Sequence, residues 1–297
     1  MMFNFFKKLF YPIIAILDFI TKYFKTIVFL TIVYYFVSSS NEANIQKGSF
    51  KTANLQKIEL YGPILDSKKL LTQIEEAKNN SNIKGVLLDV NSPGGAVAPS
   101  VEIAYAIKEL NELKPVVAYA SGIMASGSYY ASIWAKEIVA NPGSMVGSIG
   151  VIFQGTNLEE LMDKIGVKTQ TVKAGKYKEA GTPTRVWEDY EKQELEKVIN
   201  DTYNMFISDV ASARGLKVED HIKFADAHIF TSAQAKQVGL VDEVSTLSYA
   251  KNRVIKLSGV TSPSWKKEDK LDKFLDSIIQ ETVSKFSVLF EGGLRAY

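Results

Sequence analysis

The run Gly85-Val86-Leu87-Leu88-Asp89-Val90, followed by Asn91-Ser92-Pro93-Gly94-Gly95, decides how this chain folds. Gly85–Val90 is short and almost wholly apolar, as a strand covered on both faces of a parallel sheet must be. The Pro-Gly-Gly turn ends it, and the spacing beyond predicts a helix from about Pro99 to Leu113. A strand at Val116–Ala120, a serine-rich turn and a helix through Ala135 repeat the unit, and Glu137–Ala140 is a further strand closed by Asn141-Pro142-Gly143. Upstream, Lys57–Tyr61 alternates like a strand, and Asp66 or Ser67 caps a helix through Lys78. This βαβα rhythm predicts an α/β fold with a mainly parallel sheet. Ligand sites in such sheets lie at the carboxyl ends of the strands. Asn91–Gly95 and the serine turn both follow strands, so they share one edge.

The serine turn reads Ala120-Ser121-Gly122-Ile123-Met124-Ala125-Ser126-Gly127-Ser128-Tyr129-Tyr130. A serine held between small residues ahead of a helix can point its hydroxyl outward beside free N–H groups, which suits attack on a carbonyl. The plainer reading is that Ala, Ser and Gly only let two backbones approach. A nucleophilic serine needs a base. The chain has no cysteine and only two histidines, His221 and His228, both in a polar segment where solvated surface is the default. Lysine is the usual alternative base. Beyond a strand expected near Val167–Val172, the run Lys173-Ala174-Gly175-Lys176-Tyr177-Lys178 offers three, all of which read as surface residues on their own. A lysine base has to be neutral, a drop from about 10.4 to about 7–8, or roughly 4 kcal/mol of differential destabilisation of the charged form. The Gly94–Gly95 turn is the second chemical candidate. It is either an ordinary strand-to-helix turn or a loop that aims N–H groups at an oxyanion.

Length and composition narrow the field. The 297 residues can bury a sizeable core. A net charge of +2, with no basic run interleaved with aromatics, gives no sign of nucleic-acid binding. Zero cysteines exclude disulfides and thiolate metal sites. No fixed-period repeat, GxGxxG or Walker loop is present. The N-terminus stands apart: Thr26–Val37 is uncharged and apolar, Ser38-Ser39-Ser40-Asn41 follow, and Lys7, Lys8, Lys22 and Lys25 precede it. With Lys25 snorkelling, residues 26–41 approach the ~17-residue lower limit of a spanning helix. The lysines predict an N-terminus kept in the cytosol. The expected layout is a cytosolic or interfacial segment at 1–25, a transmembrane anchor at 26–41 and a linker at 42–55. A cleaved signal peptide, or an amphipathic helix over Leu9–Lys22, are the rivals. Glu188–Arg214 has the 3–4 spacing of a packing helix ended by Gly215, and Lys266–Phe290 is an amphipathic stretch within a C-terminal segment at 261–297.

Taken in order, the motifs resemble the signal peptide peptidase A family in its short, single-domain form. The resemblance covers about Lys57 to Leu257. Its marks are Asn91–Gly95, Ala125-Ser126-Gly127-Ser128-Tyr129-Tyr130, Ala140-Asn141-Pro142-Gly143-Ser144 with Gly147-Ser148-Ile149-Gly150, Gly175-Lys176-Tyr177-Lys178, and Phe230-Thr231-Ser232-Ala233-Gln234-Ala235 with Val238-Gly239-Leu240-Val241-Asp242. The resemblance implies a ClpP/crotonase-like spiral at 56–260 and a serine endopeptidase working by a Ser-Lys dyad. It implies Ser126 as nucleophile, Lys178 as general base ahead of Lys176, Gly94 or Gly95 as oxyanion donors, and Ser148 as the group that orients the lysine. Ser128 departs from the pattern, which usually has a second glycine there, and reads as tolerated. No cofactor or metal is called for. Expected partners are signal peptides and other hydrophobic or unfolded segments, membrane lipid, and further copies in a ring. The expected location is a bacterial inner or plasma membrane, with the catalytic domain outside the cytosol. A crotonase-like acyl-CoA enzyme and an inactive membrane scaffold are the competing readings.

Overall fold

β2 (Gly85–Ser92) forms the centre of the molecule and is buried at every position except Asn91. In the computed structural model, which describes residues 18, 19, 21–34 and 52–267, it pairs in parallel with β1 (Leu55–Tyr61) on one side and β3 (Val116–Ala125) on the other. The first half of β3 pairs with β4 (Glu137–Ala140), and β4 in turn pairs with β7 (Glu243–Val244), both in parallel. The second half of β3 leaves β4 and pairs with β5 (Met145–Gly147), which pairs antiparallel with β6 (Ile229–Thr231). The path is β1-β2-β3-β4-β7, with β5 and β6 branching from the end of β3. The expected α/β architecture with a mainly parallel sheet is thus what forms.

Alternate residues of β2 serve two cores, as the two-residue period of a strand requires. Val86, Leu88 and Val90 join the larger core, together with α2 (Lys68–Asn79), α3 (Val97–Leu113), α4 (Gly127–Ser132) and the C-terminal half of α6 (Asp189–Arg214). Leu87 faces the other way, into a smaller core closed by Ala250 and Val254 of α9 (Leu247–Ser258) and by Trp265. The remaining short helices are α5 (Glu159–Lys164), α7 (His221–Phe224) and α8 (Ser232–Gln237). α6 begins with a capping box between Glu188 and Glu191 and ends at Gly215, whose φ of 65° is the left-handed stop expected there. Its buried apolar residues Phe206, Ile207, Val210 and Ala211 all lie in its last three turns, while in its first turn Glu191 is buried.

Two expectations change, and a third falls partly outside the described residues. The strand expected near Val167–Val172 is absent among the described residues: residues 152–187 carry only α5 and are mostly exposed. The helix expected to run to Ala135 stops at Ser132, and the preceding turn is instead an extension of β3 to Ala125. Residues 1–51 form a separate unit, in which residues 21–34 are helical (α1). No helix among the described residues is long and apolar enough to cross a membrane. The anchor expected at 26–41 continues past Tyr34 outside the described residues, as does nearly all of the amphipathic stretch at Lys266–Phe290.

Candidate active site

The site starts from a fault in the sheet. The register between β2 and β3 shifts between Val90 and Ser92. The Asn91 side chain fills the shift: its Oδ1 accepts the Ile123 N–H at 3.0 Å, and Ser121 Oγ donates to Val90 O at 3.1 Å. A Cβ on Gly122 would stand 2.4 Å from Asn91 Oδ1, so a larger residue there would displace the asparagine from this bond. The irregularity turns β3 away from β4 and onto β5, which brings Ser126 to the carboxyl edge of the sheet.

Ser126 caps α4 with φ 53° and ψ −126°, a backbone conformation that costs a side-chain-bearing residue on the order of 1–3 kcal/mol. The surroundings hold it there. Its N–H donates to Gly147 O at 2.8 Å and its O accepts the Tyr130 N–H at 3.0 Å. Two tyrosines fix the short helix beneath it. Tyr129 donates to Leu240 O at 2.9 Å, while Tyr130 donates to the Asp209 carboxylate and packs edge-on against Phe206, ring centroids 4.8 Å apart. Burial pushes the hydroxyl of each well above the ordinary tyrosine value, so both stay protonated donors.

The three serines of the turn have different fates. Ser121 Oγ is bonded to Val90 O, and Ser128 is fully buried with its Oγ bonded to backbone. Ser126 alone is half-exposed with no hydrogen bond to its hydroxyl among the described residues. The glycine loop stands against it: a Cβ on Gly94, which has φ 96°, would meet Gly127 N at 2.6 Å and Ser126 Cβ at 2.9 Å. The Gly94 N–H is already given to Ser92 Oγ at 3.2 Å. The N–H groups of Gly95 and Gly127 have no acceptor among the described residues. They lie close together, since a Cβ on Gly127 would be 3.3 Å from Gly95 N. Of the two glycines singled out in the sequence, Gly95 therefore has the free donor and Gly94 the close approach. Gly127 was missed, although the residue following an elbow serine commonly lends its N–H to such a pair.

Ser148 is beside this cluster, half-buried, with φ 49° and its N–H on His228 O at 2.7 Å. His228 is exposed and His221 half-buried, and neither ring is bonded to Ser126. Lys178 is a different matter. It sits in an exposed turn, its N–H on Gly175 O at 3.3 Å, and its ammonium has no hydrogen bond or ion pair among the described residues. No hydrogen bond joins it to Ser126. Lys176, its rival, lies over the rings of Tyr190 and Tyr177, 4.6 and 5.5 Å from their centroids. Its amine is thus engaged by two aromatic faces. The turn is tied down on either side of Lys178. Glu179 accepts from Lys173 at 2.6 Å and from Arg185 at 3.2 Å, and Arg185 also makes a two-pronged pair with Glu191, both bonds 2.8 Å. The Arg185 hydrogen bonds hold the Glu191 carboxyl down at about 2. Among the described residues, no group of three His, Asp or Glu side chains is placed to hold a metal ion.

Comparison with known proteins agrees with the motifs. The profile of Peptidase family S49 matches residues 108–261. A protein of Methanocaldococcus jannaschii named "Putative protease" is 42% identical over 67% of this chain and 64% of its own length. One of Synechocystis with the same description is 39% identical over 71% of this chain and 78% of its own. A "Putative signal peptide peptidase SppA" of Enterococcus faecium is 30% identical over 71% of this chain and 65% of its own. Two of these three relatives thus extend for about a third of their length beyond what this chain matches. The chain belongs to peptidase family S49, the serine-type peptidases that include signal peptide peptidase A.

Proposed function

We propose that this protein is a membrane-anchored endopeptidase that cuts signal peptides and other hydrophobic or unfolded segments through a Ser126–Lys178 dyad, on a ClpP/crotonase-like spiral. The observation that carries this reading is the free, half-exposed hydroxyl of Ser126 on a strained backbone, beside the uncommitted N–H groups of Gly95 and Gly127. Neutral Lys178 takes the Ser126 proton as Oγ bonds to the peptide carbonyl carbon. The carbonyl oxygen becomes an oxyanion bound by the two N–H groups. As the C–N bond breaks, the lysine passes its proton to the leaving amine. Water, deprotonated by the same lysine, then releases the acyl group and restores Ser126.

The exposure of Lys178 in a single chain supports a site completed by a neighbouring copy. A base that must be neutral needs burial or a nearby cation, and a second chain covering the 152–187 segment would supply the burial. Ile152, Ile165, Val172 and Val186 are each at least 60% exposed there, an apolar surface suited to that contact. Such a ring, with the catalytic domain outside the cytosol of a bacterial inner or plasma membrane, is the assembly that fits the reading.

An acyl-CoA enzyme would use the same paired N–H groups, but it has no need of a free serine hydroxyl on the residue next to them. A serine-reactive fluorophosphonate separates the readings. It should label Ser126 in the wild-type protein, and a protein that stays unlabelled while correctly folded and assembled would overturn the peptidase proposal.

A further inference from the structure

Ser128 read in the sequence as a tolerated departure, yet its hydroxyl is the most heavily used in the site. The residue is fully buried. Its Oγ accepts the Ala125 N–H at 2.9 Å and lies 2.6 Å from Ser92 O and 2.9 Å from Ala125 O. A hydroxyl has one proton to give. The shorter contact marks Ser92 O as its acceptor.

These partners belong to the two halves of the site. Ala125 directly precedes Ser126, and Ser92 opens the Pro93-Gly94-Gly95 loop. Ser92 also accepts the Gly94 N–H on its own Oγ at 3.2 Å, so a bond to Ser92 bears on the whole loop. With glycine at 128, the only side-chain hydrogen bond joining the Ser92–Gly95 loop to the elbow among the described residues would be gone. We propose that Ser128 is a positioning residue, whose buried hydroxyl sets the gap between the Ser126 Oγ and the free Gly95 N–H of the glycine loop. This rests on the reading of Ser126 as nucleophile and of the loop as the oxyanion site.

The consequence is kinetic. A loop displaced by a fraction of an ångström still binds peptide but meets the oxyanion poorly, so the loss falls on kcat. Ser132 supplies the control. It is equally buried, one turn further along α4, and donates to Ser128 O at 2.8 Å, but among the described residues its hydroxyl makes no hydrogen bond to the loop or the elbow strand. The test compares Ser126→Ala, Ser128→Ala, Ser128→Gly and Ser132→Ala in the full chain. Thermal midpoint, kcat and KM on a peptide ester, and the affinity of a peptide boronate, which forms a tetrahedral adduct on serine, are measured for each.

Ser128→Ala should lose on the order of tenfold in kcat with KM within about twofold, and boronate affinity should fall in step. Ser132→Ala should lose thermal stability but keep kcat within about twofold. If Ser126→Ala is inert and Ser128→Ala keeps its kcat, or falls no further than Ser132→Ala at equal thermal loss, the positioning role is refuted and the nucleophile stands. Activity surviving in Ser126→Ala removes the nucleophile and the proposal with it. Should Ser128→Ala not fold, Ser128→Gly, which puts back the glycine usual in the family pattern, is held to the same criteria.

Discussion

The serine side of the site and the lysine side are built by opposite means. Ser126 stands on buried strands, two buried tyrosines and a sheet irregularity locked by Asn91, so its strained backbone is determined from several directions. Lys178 stands on an exposed turn outside the two cores, beside a network in which Lys173, Glu179 and Arg185 lead to the buried Glu191. A rigid scaffold suits the group that must meet a carbonyl at a fixed distance. The lysine side has an apolar surface and no covering. Under the proposed Ser126–Lys178 dyad, one chain would complete the nucleophile and leave the base to be covered by a neighbour.

The largest effects should fall on the two residues themselves. Ser126→Ala and Lys178→Ala should each lower kcat by about 10⁴-fold or more, and the double variant should be no worse, because nucleophile and base act as one unit. Rates should climb with pH, since only the neutral amine accepts the proton, and an optimum near pH 5 would point to a carboxylate base. Mixing the two dead proteins tests the contrast directly. In a head-to-tail ring of equal parts, about a quarter of boundaries join an intact serine to an intact lysine, and activity should return to about that fraction. A verified mixed oligomer that stays inert would place both groups within one chain.

Next in size is the glycine loop. Gly94→Ala forces a Cβ to within 2.6 Å of Gly127 N and 2.8 Å of Ala125 O, both backbone atoms with no room to yield. Loss of an oxyanion donor costs about 10²–10³ in kcat, and displacing the loop should approach the lower figure. Gly62 gives the comparison: its φ of 71° is also positive, but a Cβ there meets nothing within 4 Å. Gly62→Ala should cost about 1 kcal/mol in stability and leave kcat alone. Equal kinetic losses in the two variants would mean that the loop is not special.

The same division explains what the sequence disclosed. Gly85–Val90, Val116–Ala120 and Glu137–Ala140 were legible because a strand buried on both faces must be apolar throughout. The Glu188–Arg214 helix was legible from its spacing and its terminal glycine. The continuation of β3 to Ala125 was not, because it depends on an asparagine side chain from the neighbouring strand replacing a ladder bond. Nor was the role of Gly127, or that of Ser128, since both arise from contacts across about 30 residues of chain with the Ser92–Gly95 loop. The strand expected near Val167–Val172 was not to be had from the sequence either: no strand among the described residues pairs with it, and Val172 is wholly exposed. Local pattern predicts an element only where the same chain covers it.

A smaller effect should come from acid. The Glu191 carboxyl is held at about 2 by hydrogen bonds from Arg185, against an ordinary 4.5. A carboxyl whose folded value is depressed contributes stability above the ordinary value and loses it as pH falls toward the folded one. The tie between the Lys178 turn and α6 should therefore be intact at pH 5 and above and weaken between about pH 4.5 and 2. Hydrogen exchange should accelerate over residues 173–191 in that window, before the strands of the core respond. Arg185→Met should produce that local loosening already at pH 7. An unchanged exchange pattern in this variant would show that apolar contacts, rather than the ion pairs, hold the turn.

The smallest effect separates two lysines that lie two residues apart. Lys176 is engaged by the Tyr190 and Tyr177 rings, and those rings pack edge-on at 5.7 Å. A partly exposed contact of this kind is worth about 0.5–1 kcal/mol. Lys176→Ala should therefore cost about that much in stability and leave kcat within about threefold, because the two rings still pack on each other. Lys178→Ala has the opposite profile, with little to lose in stability and nearly all of kcat. The pair is a control on the base assignment, since charge, exposure and chain position are nearly matched and only the ammonium's surroundings differ. If Lys176→Ala abolishes turnover while Lys178→Ala retains it, the cation on the tyrosines leaves them when a neighbouring chain docks, and the base must be reassigned to it.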